Sequence, residues 1–180
     1  MVGCPLLTLP GRLTRLKGHS DFLRMLELVR REAPVARGLI VGGSDPRRRG
    51  YERELHAEVE ARGLREVVTF TGHRDDLREI LAISTIAYSL SANPPEAFGR
   101  TVIEALSLGT PVIGYDHAGA GEILRQLQPQ GAVTPGDVAA AARSTVALLR
   151  GEPRTILPNT LFTVQSMVDR TLALYDRVTG

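Results

Sequence analysis

Residues 85–114 read TIAYSLSANPPEAFGRTVIEALSLGTPVIG. Thr85 to Leu90 is an apolar run of strand length, and Pro94-Pro95 opens a loop after it. Gly99 to Leu108 follows, rich in Val, Ile and Leu and long enough for a short helix. Gly109-Thr110-Pro111 then turns the chain into Val112-Ile113-Gly114, a second apolar strand. Strand, helix and strand on short connections make the repeating unit of a parallel sheet.

The same rhythm extends in both directions. Upstream, Leu6-Leu7-Thr8-Leu9 is a strand that breaks at Pro10-Gly11. Ser20 and Asp21 offer capping side chains to a helix whose Phe22, Leu23, Leu26 and Val29 recur at helical spacing before Pro34. Leu39-Ile40-Val41 is a strand stopped by Gly42-Gly43. Tyr51 to Ala61 predicts a surface helix with Leu55 and Val59 on its buried side and Gly63 as its C-cap. Val67 to Phe70 is a strand ahead of Thr71-Gly72, and Asp75 to Leu81 a short helix. Downstream, Gly119 to Leu127 is a helix, Ala132-Val133 an edge strand, and Asp137 to Leu149 an alanine-rich helix. Thr163 to Val178 is a terminal amphipathic helix carrying Val164, Met167, Val168, Leu172 and Tyr175. The alternation predicts an α/β fold: one Rossmann-like domain, a parallel sheet with helices on both faces. Ligands of such sheets bind at the carboxyl ends of the strands. The loops rich in charge and glycine fall there.

Composition narrows the function. Hydrophobic residues make up 43% and charged residues 23%, values of an ordinary globular domain rather than a disordered one. There is no tryptophan and only 4% aromatic residues, so the ring platforms of single-strand binders are missing. The net charge of +2 comes without a basic stripe, and nucleic acid is not an expected partner. The one basic run, Arg47-Arg48-Arg49, reads as a solvated loop. The single cysteine, Cys4, excludes an internal disulfide and paired-cysteine zinc, and suits a reducing cytoplasm. His19, His56, His73 and His117 do not have a metal-ligand spacing. No stretch approaches the roughly 20 apolar residues of a membrane helix, and no signal-peptide pattern opens the chain.

Two constellations carry chemistry. In Pro95-Glu96-Ala97-Phe98-Gly99-Arg100-Thr101-Val102-Ile103-Glu104, one carboxylate precedes a helix and another lies within it. The free N–H groups of Gly99, Arg100 and Thr101 form a helix N-terminus, which attracts anions. A diphosphate on that terminus and sugar hydroxyls on the carboxylates is one reading. The other is that Glu96 only favours the helix dipole and Glu104 only pairs with a surface base. In Gly11-Arg12-Leu13-Thr14-Arg15-Leu16-Lys17-Gly18, a strand end carries cations suited to phosphate oxygens, or simply a solvated basic loop. A dinucleotide oxidoreductase would place G-x-G-x-x-G after the first strand, and basic residues follow Gly11 instead.

Taken in order, Gly11-Arg12, Lys17-Gly18, Phe70-Thr71-Gly72, Glu96 to Glu104, Gly109 to Ile113 and Gly119 with Glu122 resemble the donor domain of group 1 (family four) glycosyltransferases. The Glu96/Glu104 pair matches that family's E-x7-E motif. The resemblance implies one half of a GT-B fold, with residues 1–180 as a nucleotide-sugar-binding C-terminal domain and the N-terminal acceptor domain lying outside them. It implies a retaining transferase that uses a nucleoside diphosphate sugar and no metal or other cofactor. Arg12 and Lys17 would grip the diphosphate and Glu96 the transferred sugar, these three forming the catalytic set. Glu104 would bind the ribose, Phe98, Gly99, Arg100 and Thr101 the sugar and phosphates, and Gly72, His73 and Arg74 the base. The acceptor would be a glycan or a lipid-linked glycan, in lipopolysaccharide or cell-envelope polysaccharide biosynthesis. The full-length enzyme would be cytoplasmic, with peripheral association at the inner membrane face compatible with that role. The terminal helix would meet the other domain, which leaves its apolar face open here or engaged in self-association. Ser91-Ala92-Asn93-Pro94 departs from the family's usual proline-serine loop start, and Asp116-His117-Ala118-Gly119-Ala120-Gly121 reads as a further ligand-side loop. A non-catalytic sugar-nucleotide-binding or interaction module, or half of a GT-B epimerase or phosphorylase, would share these features.

Overall fold

A computed structural model of the chain describes residues 3–44, 50–152 and 155–179. The Arg47-Arg48-Arg49 run lies outside the described residues. Among the described residues, six strands form one parallel sheet: β1 Leu6–Pro10, β2 Arg37–Val41, β3 Val68–Phe70, β4 Ile86–Ser89, β5 Val112–Tyr115 and β6 Ala132–Val133. Their spatial order is β3-β2-β1-β4-β5-β6. The chain builds outward from β1 in one direction, then returns to its other side. β1 and β4 therefore adjoin at the point where the winding reverses. There the loops leaving the two strands diverge and open a crevice.

Among the described residues, α1 His19–Val29, α2 Gly50–Ala61, α3 Leu77–Ile83, α4 Arg100–Ser107, α5 Ala118–Leu127 and α6 Val138–Leu149 flank the sheet, and α7 Val164–Thr179 ends the chain's helical structure. Strand alternation divides the core in two. Leu7, Leu9, Ile40, Tyr88, Ile113 and Tyr115 face one side, where α1, α2 and α6 cover them with Phe22, Leu26, Leu55 and Val146. Ala87 and Val112 point to the opposite side and meet Leu81, Val102, Ala105 and Leu124 from α3, α4 and α5. β1 needs one polar concession on that second face. Thr8 Oγ1 meets Ser84 Oγ at 2.6 Å, and Ser84 in turn donates to the Ile80 carbonyl at 2.7 Å.

Two local expectations are corrected. Ser20 and Asp21 do not cap α1, because the helix already starts at His19, with Gly18 at the cap in the left-handed conformation (φ 73°). Ser20 instead donates to Glu58 at 2.5 Å, and Asp21 accepts from the Tyr115 hydroxyl at 2.5 Å. α3 begins two residues later than expected, after Arg74 pairs with Asp76 through two bonds of 2.8 and 2.5 Å. Of the small residues from Asp116 to Gly121, Gly119 and Gly121 are required by close packing. A side chain on Gly119 would collide with the carbonyl oxygens of Ala97 and Phe98, and its N–H donates to the Glu96 carbonyl at 3.1 Å. α5 thus presses directly against the loop that carries Glu96. Asp137 does cap α6, its carboxylate accepting from the Ala140 N–H at 2.8 Å.

α7 contrasts with the other helices. Val164, Leu172 and Val178 are 76%, 56% and 77% exposed, and Met167, Leu174 and Tyr175 are also open. No helix among the described residues is long and apolar enough to cross a membrane.

Candidate functional site

The loop leaving β1 runs from Gly11 to Gly18 and includes a short 3-10 turn, Arg15–Lys17. Backbone bonds seat it against β2: Gly11 N–H donates to Val41 O at 2.8 Å and Leu13 N–H to Gly43 O at 3.0 Å. Gly42 lets the two strand ends approach, since a side chain there would overlap the Gly11 carbonyl. Gly18 closes the loop on the other side, packed so tightly on the Leu90 carbonyl that a Cβ has no room. Its positive φ would strain any other residue as well. The β1 loop is therefore wedged between the ends of β2 and β4.

The loop leaving β4 runs from Leu90 to Gly99, with a cis peptide bond between Asn93 and Pro94. It delivers Glu96 to the crevice. Gly99 caps α4 and, having no side chain, makes no cap bond to the helix's first amides. Arg100 and Thr101, at that helix start, line the crevice. The switch point thus brings a cationic loop, a carboxylate and an open helix N-terminus together.

They surround a cavity of about 500 Å³, within the range of small-molecule sites. Its walls include Arg12, Lys17, Arg74, Arg100 and His73, with Glu96 as the carboxylate among them. Lys17 Nζ is bonded directly to Glu96, and the two side chains are 33% and 24% exposed. Arg74 is held by Asp76, whose carboxyl that guanidinium keeps below its usual range. Arg12 forms no ion pair among the described residues. The cavity therefore offers one uncommitted guanidinium, one shared ammonium and a set of free amides. That arrangement favours an oxyanion such as a phosphate.

Of the residues expected from the sequence, Arg12, Lys17, His73, Arg74, Glu96, Phe98, Arg100 and Thr101 all line this cavity. Gly99 stands behind it as the cap of α4, and Gly72 bridges to Gly42 at its rim. Glu104 is not on its wall. It lies one turn along α4, 3.6 Å from the Arg100 guanidinium, in a neighbouring groove of about 570 Å³ between α4 and α7. Phe98 and Arg100 border both spaces. Among the described residues, no group of three or more His, Cys, Asp or Glu side chains is placed to hold a metal ion.

Two features were missed from the sequence. One is the Lys17–Glu96 pair, which only the adjacency of β1 and β4 creates. The other is His19, the first residue of α1, fully buried behind the β1 loop. The signal was there: position 19 continues the buried stripe of Phe22, Leu23 and Leu26 back by one turn.

Known proteins share the sequence pattern and the fold. Residues 3–157 match the family model of the glycosyl transferases group 1. The phosphatidyl-myo-inositol mannosyltransferase of Mycobacterium leprae is 36% identical over 137 residues, covering 76% of this chain and 34% of the relative. Among solved structures, Anabaena HepE in complex with UDP and glucose superposes with a TM-score of 0.76 at 26% identity, over 82% of this chain and 39% of HepE. Sucrose-phosphate synthase from Thermosynechococcus elongatus gives a TM-score of 0.80 at 27% identity, over 98% of this chain and 46% of that one. The chain spans about a third of the length of two curated relatives it matches (33% and 34%). The chain belongs to the group 1 glycosyl transferases.

Proposed function

We propose that this chain is the donor-binding domain of a retaining glycosyltransferase and holds a nucleoside diphosphate sugar at the β1/β4 switch point. One observation carries the reading: Arg12 and Lys17 from the β1 loop converge with Glu96 and the α4 N-terminus on one cavity. HepE, similar in fold and sequence, was solved with UDP and glucose, which supports a diphosphate ligand with a sugar beside it.

In this reading the diphosphate lies against Arg12, Lys17 and the first amides of α4. Transfer breaks the bond between the anomeric carbon and a diphosphate oxygen, and negative charge grows on that oxygen. Fixed cations and N–H dipoles stabilise it without reorganising. The chain's own cations supply this charge, so no metal is assigned to the step. Glu96 accepts hydrogen bonds from the sugar hydroxyls, with Lys17 keeping its carboxylate oriented. His73, Arg74 and the backbone at Gly72 frame the base. A nucleoside crossing from the cavity toward the α4–α7 groove brings its ribose to Glu104. Phe98, Gly99 and Thr101 line the path between. The acceptor, a glycan or lipid-linked glycan of the cell envelope or lipopolysaccharide, is assigned to an N-terminal domain outside residues 1–180, and the isolated domain is inactive without it. That domain covers the exposed face of α7. The full-length enzyme works in the cytoplasm, at the inner membrane face when its acceptor is lipid-linked.

Glu96→Gln tests the division of labour. Binding of the preferred nucleotide sugar should weaken by about tenfold, the scale of one hydrogen bond to a charged group. The free nucleoside diphosphate should bind as well as before or better, because Lys17 is released from its carboxylate. Equal losses for both ligands, measured by calorimetry, would refute the assignment of Glu96 to the sugar.

A further inference from the structure

Gly119 is out of place by helix chemistry alone. It lies in the first turn of α5, outside the left-handed region that favours glycine, where alanine is the better helix former. Its surroundings supply the reason. A Cβ there would stand 2.5 Å from the Ala97 carbonyl oxygen, and 2.6 and 2.7 Å from the carbonyl oxygen and carbon of Phe98. All three are backbone atoms, so no side chain can swing aside. The Gly119 N–H also donates to the Glu96 carbonyl at 3.1 Å. One residue of α5 therefore meets three consecutive peptide groups of the β4 loop. The next residue of the loop repeats the contact in reverse: a Cβ on Gly99 would lie 3.1 Å from the N and Cα of Ala120 and from Ile123 Cδ1.

We propose that Gly119 is a positioning residue for Glu96: the first turn of α5 is the seat on which residues 96–99 rest, and it sets where the Glu96 carboxylate stands. The proposal rests on the donor-binding reading for its purpose, but the seating itself is a property of the free protein. Glu96 is held at both ends, its carboxylate by Lys17 and its carbonyl by Gly119. The first contact draws the side chain toward the β1 loop, and the second fixes the backbone from which it reaches. A Cβ at position 119 would push on that backbone. The β1 loop would keep its own anchors, the Gly11 and Leu13 amides on Val41 and Gly43. α4 would keep Val102 and Ala105 in the second core. The sugar side of the site would move and the diphosphate side would stay.

Gly119→Ala on the 180-residue chain tests this beside a control, Gly38→Ala. The control's methyl meets the Leu26, Val68 and Phe22 side chains, at the end of β2 away from the site. Native-state hydrogen exchange reads the seating without any ligand. In Gly119→Ala the residue-119 amide, corrected for its intrinsic rate, should exchange about tenfold faster, with the Ala87 amide in the β4–β5 ladder unchanged. In Gly38→Ala the two amides should keep their wild-type ratio. Calorimetry with UDP, GDP and ADP, each beside its glucose conjugate, reads the purpose. Gly119→Ala should weaken the preferred nucleotide sugar about tenfold and its free diphosphate less than about twofold, while Gly38→Ala leaves both unchanged. If Gly119→Ala does not fold, Ile123→Val, which trims the Cδ1 packed against Gly99, replaces it with the same readouts and effects of about threefold. Unchanged exchange at residue 119, or equal acceleration at Ala87, overturns the proposal, and parallel losses for nucleotide sugar and diphosphate mark a merely structural glycine. Failure of the wild type to bind any of these ligands counts against the donor-binding reading, while the exchange arm still decides whether α5 seats the loop.

Discussion

Two spaces meet at Phe98 and Arg100, and they are built on opposite principles. The switch-point cavity is walled by loops that leave buried strands. Each loop is wedged against a neighbour by backbone contacts that leave no room for a Cβ. The α4–α7 groove is walled on one side by a helix that buries little. The chain leading to α7 is tied down by Leu157 N–H to Leu127 O at 2.7 Å and by Phe162 against the second core, but Met167, Leu172 and Leu174 remain open. A polar site for a small anion needs fixed geometry, since misplacing a charged donor forfeits its bond. An apolar face needs only a partner of matching shape. The rigid space suits ligand chemistry, and the loose one suits docking of further chain.

The comparison can be broken at its most rigid point. Gly18→Ala adds a Cβ where the Leu90 carbonyl already sits, in a conformation alanine resists. It should destabilise the domain by about 2–4 kcal/mol in urea unfolding. A smaller loss would mean that the β1 loop yields rather than holds.

Acid should destabilise the fold through His19, which is buried at the start of α1. Burial lowers its pKa from 6.5 to about 4, with Lys17 adding to the effect. Lys17 and the Tyr51 ring face it, and Arg15, Asp21, Glu54 and Glu58 surround that tyrosine. Between those pH values the unfolded chain binds a proton that the folded one refuses. Stability is therefore full above pH 6.5, falls as the pH drops, and stops falling from this source near pH 4. The loss is on the order of 3 kcal/mol, and His19→Gln should remove it from the pH–stability curve.

Lys17→Ala should leave the fold intact and weaken nucleoside diphosphate binding by about 1.5–3 kcal/mol, the range for a hydrogen bond to a charged group. Arg12→Ala should do the same. At the other extreme, Leu172→Ser on α7 should change the stability of this chain by less than about 0.5 kcal/mol, because the side chain is already in water. A large effect there would show that α7 is covered, by a second copy or by a different packing, and would remove the contrast between the two spaces.

Much of the fold was legible because each element announces itself locally. Residues 85–114 show strand, turn and helix in their periodicity and their glycines and prolines. The order of strands was not legible, since pairing β1 with β4 depends on contacts about eighty positions apart in the chain. That adjacency makes the site. Arg12, Lys17 and Glu96 could be named as strand-end residues, but only the family resemblance, not periodicity or spacing, grouped them into one site. Glu104 fits the sequence spacing, yet its helical turn carries it to the neighbouring groove. Ser20 and Asp21 looked like caps because their residue types favour that position. A left-handed Gly18 took the role and freed them for Glu58 and Tyr115. The packing role of Gly119 was not legible, because close approach to a ligand and close approach to a neighbouring loop ask for the same side chains.

The measurement that bears most directly on the central claim is calorimetric titration of the wild-type chain with UDP, GDP and ADP, repeated on Lys17→Ala. The account predicts that at least one diphosphate binds, that it stabilises the fold by about 2.7 kcal/mol when present at 100 times its dissociation constant, and that Lys17→Ala removes most of that gain. Binding that is indifferent to Lys17, or no binding of any of the three at millimolar concentration, would contradict a diphosphate site at the β1/β4 switch point.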